Sequence, residues 1–225
     1  MSEVTRSLAA EATTGSAKGE RRRLVVLRHG QTESNAKGIW QGQLDHELSY
    51  LGHEQARAAA AAISSLRPSR VVSSDLSRAR VTAQEVAAAS GGLDVSPDER
   101  WREIHAGGWQ GLTADQVYSQ YPEDADKLLS GEDFRRGGHG ESLADVAART
   151  RGALDELIAA MGPGECVVIA THGVTGRCLV AELVGLDQSL AWRALGGFGN
   201  CHWAVVEEGS GGWRISQWNA SAEGL

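Results

Sequence analysis

The sequence predicts an α/β fold: a three-layer α/β/α sandwich with a mostly parallel sheet and an antiparallel edge strand. Three observations predict it. The apolar runs 24–27 and 166–170 have the length and continuity of strands buried on both faces. Ala-rich or apolar-periodic segments alternate with them, as they do where helices cover both sides of a sheet. Near the C-terminus, 201–207 and 213–218 are joined by the glycine-rich stretch 209–212 and read as an antiparallel pair at the sheet edge.

Residues 1–22 are small and polar, without apolar periodicity, and are expected to form a disordered extension. They lack the basic start and apolar stretch of a secretory signal. One domain is expected over 23–220. Its first strand runs directly into Arg28-His29-Gly30. The Ala-rich segment 50–66 is strongly helical, and Pro68 closes it. Val71-Val72 is a second strand, ending at Ser73-Ser74-Asp75. A helix over 77–89 is stopped by Gly91-Gly92. Residues 98–140 read as irregular. Ser142 starts a helix to about Ala160, with Asp145 three residues on in a variant capping box. The strand 166–170 runs into Thr171-His172-Gly173, and a further helix reaches about Leu183.

Composition narrows the function. The 225 residues carry a net charge of −7, which argues against a general nucleic-acid binder. No apolar run approaches the ~20 residues of a membrane span, so no membrane partner is expected. Three cysteines, Cys166, Cys178 and Cys201, sit among apolar neighbours and suit a reducing cytoplasm better than a disulfide scaffold.

Two strands that end in His-Gly are the first functional signal, because ligands of α/β folds sit beyond the carboxyl ends of the strands. In Arg28-His29-Gly30-Gln31-Thr32-Glu33-Ser34-Asn35, the histidine is placed to face a crevice. Neutral imidazole is a good nucleophile near pH 7, and attack on phosphorus gives a labile phosphohistidine. Arg28 supplies a planar fork of donors for phosphate oxygens. Gly30 is expected to let the backbone approach a ligand closely.

The pattern Arg-His-Gly-x-Thr-x-x-Asn resembles the phosphohistidine signature of the histidine phosphatase superfamily, which includes the phosphoglycerate mutases. Further segments follow in the family's order. Residues 73–79 (SSDLSRA) are similar to the segment with the second phosphate-binding arginine, here Arg78. Arg102-Glu103-Ile104, followed by Gly108-Trp109-Gln110-Gly111, resembles the acid segment. Gly140-Glu141-Ser142 matches the text before a long helix, and Thr171-His172-Gly173 stands where a second His-Gly is expected. The resemblance covers about residues 23–207 and implies a phosphoglycerate mutase-like fold. Residues 41–45, 102–105, 109–113 and 194–200 are most similar to the glucosyl-3-phosphoglycerate phosphatases of actinobacteria.

The resemblance implies roles. His29 attacks phosphorus, and Arg28 and Arg78 neutralise the phosphoryl oxygens. His172 stabilises the equatorial oxygens. Asn35 and Gln41 add neutral hydrogen bonds, and Gly173 belongs to the same substrate-binding set. Glu103 is the candidate proton donor, since an alkoxide leaves only with a proton. No metal and no cofactor is expected, the partner is a small phosphomonoester, and related enzymes are often homodimers. Thr171, Gln110 and Trp101 depart from the commonest family text without removing a reacting group.

Residues 140–144 lack the last glycine of a nucleophile elbow. The remaining histidines lack metal-site spacing. Gly196-Gly197-Phe198-Gly199 is not a dinucleotide fingerprint. Trp109 is the tryptophan expected to border the site. A phosphoglycerate mutase is the alternative enzyme, although Gly107–Gly111 lacks the Arg-His-Tyr-Gly text of mutases. A catalytically silent binding module is disfavoured, because every reacting residue is present.

Overall fold

The computed structural model describes residues 21–222, so nearly all of the expected extension lies outside the described residues. Arg22, at its end, is tied down: it donates to the Glu208 carboxylate at 2.6 and 2.7 Å and to the Ile158 carbonyl at 2.7 Å.

The strands are β1 (Arg23–Arg28), β2 (Arg70–Ser73), β3 (Val95–Pro97), β4 (Cys166–Thr171), β5 (Trp203–Gly209) and β6 (Gly212–Ala220). They form one sheet in the order β3-β2-β4-β1-β5-β6. The β1–β4, β2–β4 and β2–β3 pairs are parallel, and β5 and β6 close one edge antiparallel. The helices are α1 (Glu33–Ala36), α2 (Tyr50–Ser64), α3 (Ser77–Ala89), α4 (Ala114–Gln120), α5 (Pro122–Ser130), α6 (Leu143–Ala159), α7 (Gly173–Val184) and α8 (Gln188–Ala194).

The continuous apolar runs are explained by the two faces they serve. On β1, Val25 and Leu27 pack with α2 and α3, while Leu24 and Val26 pack with α6 and α7. On β4, Cys166, Val168 and Ala170 face the first pair of helices, and Val167 and Ile169 face the second. Each side chain alternates across the sheet, so a strand covered on both sides must be apolar throughout. The alanines of α2 serve the same end. Ala56, Ala59, Ala60 and Ile63 recur at helical spacing and form its buried stripe, which lies with Ala83, Val86 and Ala87 of α3.

Ser142 caps α6: its side chain accepts from the Asp145 amide, and the Asp145 carboxylate accepts from the Ser142 amide at 3.0 Å. The segment read as irregular holds two short helices instead. Each buries one residue, Val117 in α4 and Ala125 in α5, so their apolar stripes were too thin to read. Trp109 is fully buried beneath them with Ala106 and Val117, and does not border the cavity described below. Trp40 stands there, its ring edge-on to Trp109 at 4.9 Å.

Gly30 also differs from its expected role. A Cβ there would lie 2.4 Å from the carbonyl oxygen of Gly52, and a Cβ on Gly52 would lie 2.0 Å from that of Gln31. The close approach is between two stretches of backbone, and it seats the first turn of α2 against the loop after β1.

Candidate active site

The parallel register of β1 and β4 brings the two histidines together. Arg28 pairs with Thr171, and the His29 amide donates to the Thr171 carbonyl at 3.0 Å. His29 and His172 therefore leave adjacent strands at the same level. Their ring centroids are 5.1 Å apart at 62°, close to the ~4.8 Å between neighbouring strands.

His29 is 3% exposed, and its Nδ1 lies 2.7 Å from the Gly30 carbonyl oxygen. A carbonyl only accepts, so Nδ1 carries the proton and Nε2 of the neutral ring holds the lone pair. Burial, and then the charges of Arg78 and Arg28, push the His29 imidazole well below its ordinary value. His172 is shifted the same way, by burial first and then by Arg78. It is fully buried with neither ring nitrogen partnered among the described residues. Such unmatched polar atoms suit an incoming acceptor.

Arg78 is 1% exposed, on the first turn of α3. It donates to the carbonyls of Leu44 at 2.7 Å and Gly42 at 2.8 Å. The loop 41–45 is itself anchored, because Asp45 accepts from the Ser77 amide and hydroxyl, both at 2.8 Å. Burial pulls the Arg78 guanidinium down to about 10, against the opposing pull of Glu103 and Asp45. Arg28 donates to the Phe198 carbonyl at 2.5 Å, and its Nε is buried without a partner among the described residues. Burial lowers it too.

Asn35 and Gln41 are oriented by Thr32. The Asn35 side-chain oxygen accepts from the Thr32 amide at 3.1 Å and from the Asn200 side-chain amide at 3.2 Å. The Gln41 side-chain oxygen accepts from the Thr32 hydroxyl at 3.1 Å. The amide NH₂ of each is left for the cavity.

Glu103 sits at the N-terminus of α7. Its Oε1 accepts from the Ile104 amide at 2.9 Å, the Thr175 amide at 3.0 Å and the Thr175 hydroxyl at 3.1 Å. Its Oε2 accepts only from the Val174 amide, at 3.1 Å. The carboxylate thus takes orphan donors of the helix and stands where the dipole favours negative charge.

A cavity of about 270 Å³ gathers these groups. Arg28, His29, Asn35, Gln41, Arg78, Glu103 and Gly173 line it; His172 does not, its ring standing edge-on to that of His29. Trp40, Ile39, Ile104, Val174 and Phe198 supply apolar wall, and Arg177 adds a third guanidinium. The sequence reading missed Arg177. It falls four residues after Gly173, hence on the same face of α7, and that spacing was the available signal. Among the described residues, no three metal-ligating side chains cluster and no helix is long and apolar enough to cross a membrane.

Comparison with known proteins agrees with this arrangement. The model of the histidine phosphatase superfamily (branch 1) matches residues 24–221. The glucosyl-3-phosphoglycerate phosphatase of Mycobacterium tuberculosis is 44% identical over 218 residues, covering 90% of this chain and 96% of that protein. A probable phosphoglycerate mutase GpmB of Serratia proteamaculans is 33% identical over 201 residues, covering 89% and 92%. The solved structure of mycobacterial glucosyl-3-phosphoglycerate phosphatase complexed with VO3 superposes with a TM-score of 0.82 at 42% identity, covering 89% of this chain and all of that one. Paired histidines on neighbouring strands, one buried and one half-buried guanidinium beside them and a match along almost the whole domain lead to one conclusion: the chain belongs to the histidine phosphatase superfamily, branch 1.

Proposed function

We propose that the chain is a metal-independent phosphomonoesterase that works through phosphohistidine, with glucosyl-3-phosphoglycerate as its preferred substrate. One observation carries the chemistry: the Nδ1–H of His29 is held on the Gly30 carbonyl, leaving the Nε2 lone pair in a cavity shared with Arg28, Arg78 and Glu103. Nε2 attacks phosphorus as the ester P–O bond breaks. Glu103 gives its proton to the departing alkoxide, then takes one from the water that cleaves the P–N bond. Inorganic phosphate leaves, and the lone pair returns to Nε2. Arg28, Arg78, Asn35, Gln41, the Gly173 amide and His172 hold the phosphoryl oxygens over which charge spreads in the transition state, and donors already fixed around them stabilise that charge without reorganising.

The substrate reading rests on the mycobacterial relatives, which are closer in identity than the mutase. A phosphohydrolase screen of phosphorylated sugars, glycerates and nucleotides tests it. Glucosyl-3-phosphoglycerate should give the highest kcat/KM, with phosphate released and chelators without effect. His29→Ala should abolish turnover and leave the far-ultraviolet spectrum intact. Efficient isomerisation of phosphoglycerate with negligible hydrolysis would instead make it a mutase. A reducing cytoplasm, supported by three buried free cysteines, and a homodimer complete the proposal; size-exclusion with light scattering tests the dimer.

A further inference from the structure

Charge in the cavity exceeds what a phosphomonoester needs. Arg28, Arg78 and Arg177 bring three positive charges, and Glu103 is the lone acid in the wall. When Glu103 carries the proton destined for the leaving group, the wall is +3. A phosphoryl dianion, held by Arg28 and Arg78, leaves one positive charge unmatched. That charge belongs to Arg177.

The surroundings of Arg177 show a built position. Its guanidinium lies over the Trp192 ring, 4.3 Å from the centroid, and Nη1 donates to the Trp192 carbonyl at 3.2 Å. Nε is buried without a partner, and no carboxylate pairs with it among the described residues. Nη2 lies beside Gly197, where a Cβ would come within 3.1 Å of it. The next carbonyl along that loop, of Phe198, is the one Arg28 donates to. Arg177 is one turn beyond Gly173, about 6 Å further along α7. It is thus fixed in the cavity wall beside the Gly197–Phe198 loop, with its stem packed and, of its donors, only Nη1 engaged by the protein among the described residues.

We propose that Arg177 is a specificity-determining residue that pairs with a carboxylate on the leaving-group side of the substrate. A carboxylate fits better than a second phosphate. One guanidinium matches one negative charge, and its planar fork matches two carboxylate oxygens. The inference rests on the phosphomonoesterase reading and assigns a residue to the carboxylate of its substrate.

The test compares 3-phosphoglycerate with glycerol phosphate, which differ by carboxylate against hydroxymethyl at one carbon. Wild-type enzyme should favour the carboxylate in kcat/KM by at least tenfold, mainly through KM. Arg177→Met should cut that ratio at least tenfold, and Arg177→Lys should restore part of it. A ratio near one in the wild type, or equal losses on both substrates in Arg177→Met, overturns the assignment and leaves Arg177 as packing for Trp192. A preference for a sugar bisphosphate over 3-phosphoglycerate that Arg177→Met removes also overturns it. If Arg177→Met does not fold, the wild-type ratio and Arg177→Lys still decide. Carboxylate preference without turnover of the glucosyl compound would sink the substrate named above and spare this assignment. Turnover of that compound, and equally of its carboxylate-free analogue, would do the reverse.

Discussion

Glu103→Gln separates the cap that this carboxylate forms from the acid role proposed for it. As a cap, Glu103 accepts four hydrogen bonds from Ile104, Val174 and Thr175. The amide keeps the Oε1 set but turns an NH₂ toward the Val174 amide, setting donor against donor. An unsatisfied buried donor costs about 1–3 kcal/mol, and losing the charge at the helix terminus adds about 0.3–1 kcal/mol. For a domain of this size each kcal/mol moves Tm by about 2–4 °C, so a fall of roughly 5–10 °C is expected. As an acid, Glu103 matters in proportion to how badly the leaving group needs a proton. Loss of a general acid costs about 10²–10⁴-fold. The loss should reach that range for an alkyl phosphate and stay below about tenfold for p-nitrophenyl phosphate, whose phenolate departs unaided. Single-turnover rapid quench isolates the phosphorylation step from the later attack of water. Equal slowing of both substrates, alongside the lowered Tm, would refute the acid role and leave Glu103 a helix cap alone.

Two further outcomes follow from the structure. His29 and His172 are buried and held neutral, with values well below 6.5 when folded, whereas the unfolded chain takes up both protons below about 6.5. Stability contributed by this pair is therefore present above that pH and lost as pH falls through it, approaching about 2.7 kcal/mol per pH unit for two protons. Urea unfolding at pH 7.5, 6.5 and 5.5 should show the decline, and His172→Asn should lessen it; an identical slope in that variant would contradict the neutral assignment. Gly52→Ala places a Cβ 2.0 Å from the Gln31 carbonyl oxygen. Helix propensity alone would favour the alanine by about 1 kcal/mol, but overpacking costs about 1–3 kcal/mol. Tm should fall, and a rise would show that the contact is not tight.

The central strands were legible because β1 and β4 are covered on both faces and must be apolar at every position. β3 was not. It is three residues long, two of them exposed, and it ends in Pro97, which only an edge can accept. The helices α4 and α5 escaped for a related reason, with one buried side chain apiece. In the site, Arg28 and His29 stood out at a strand end, whereas Arg78, Glu103 and His172 were legible through the family resemblance. The walls carry no such signal. Trp40 lines the cavity while Trp109 sinks into the core, and nothing local to either tryptophan distinguishes them. Arg177 sits in a mostly apolar helix, where only its four-residue spacing from Gly173 hints at a shared face.

The two imidazoles owe their separation to the ladder of β1 and β4, not to any loop. The surfaces that meet the rest of a ligand come from elsewhere: Gly38, Ile39, Trp40, Ile104, Val174, Arg177, Gly197 and Phe198. Phosphoryl chemistry and recognition are thus carried by mechanically separate parts of one chain. A library randomised only in those outer segments could be selected for new esters without retuning the nucleophile, whereas any insertion that slips one strand past the other would silence every member at once.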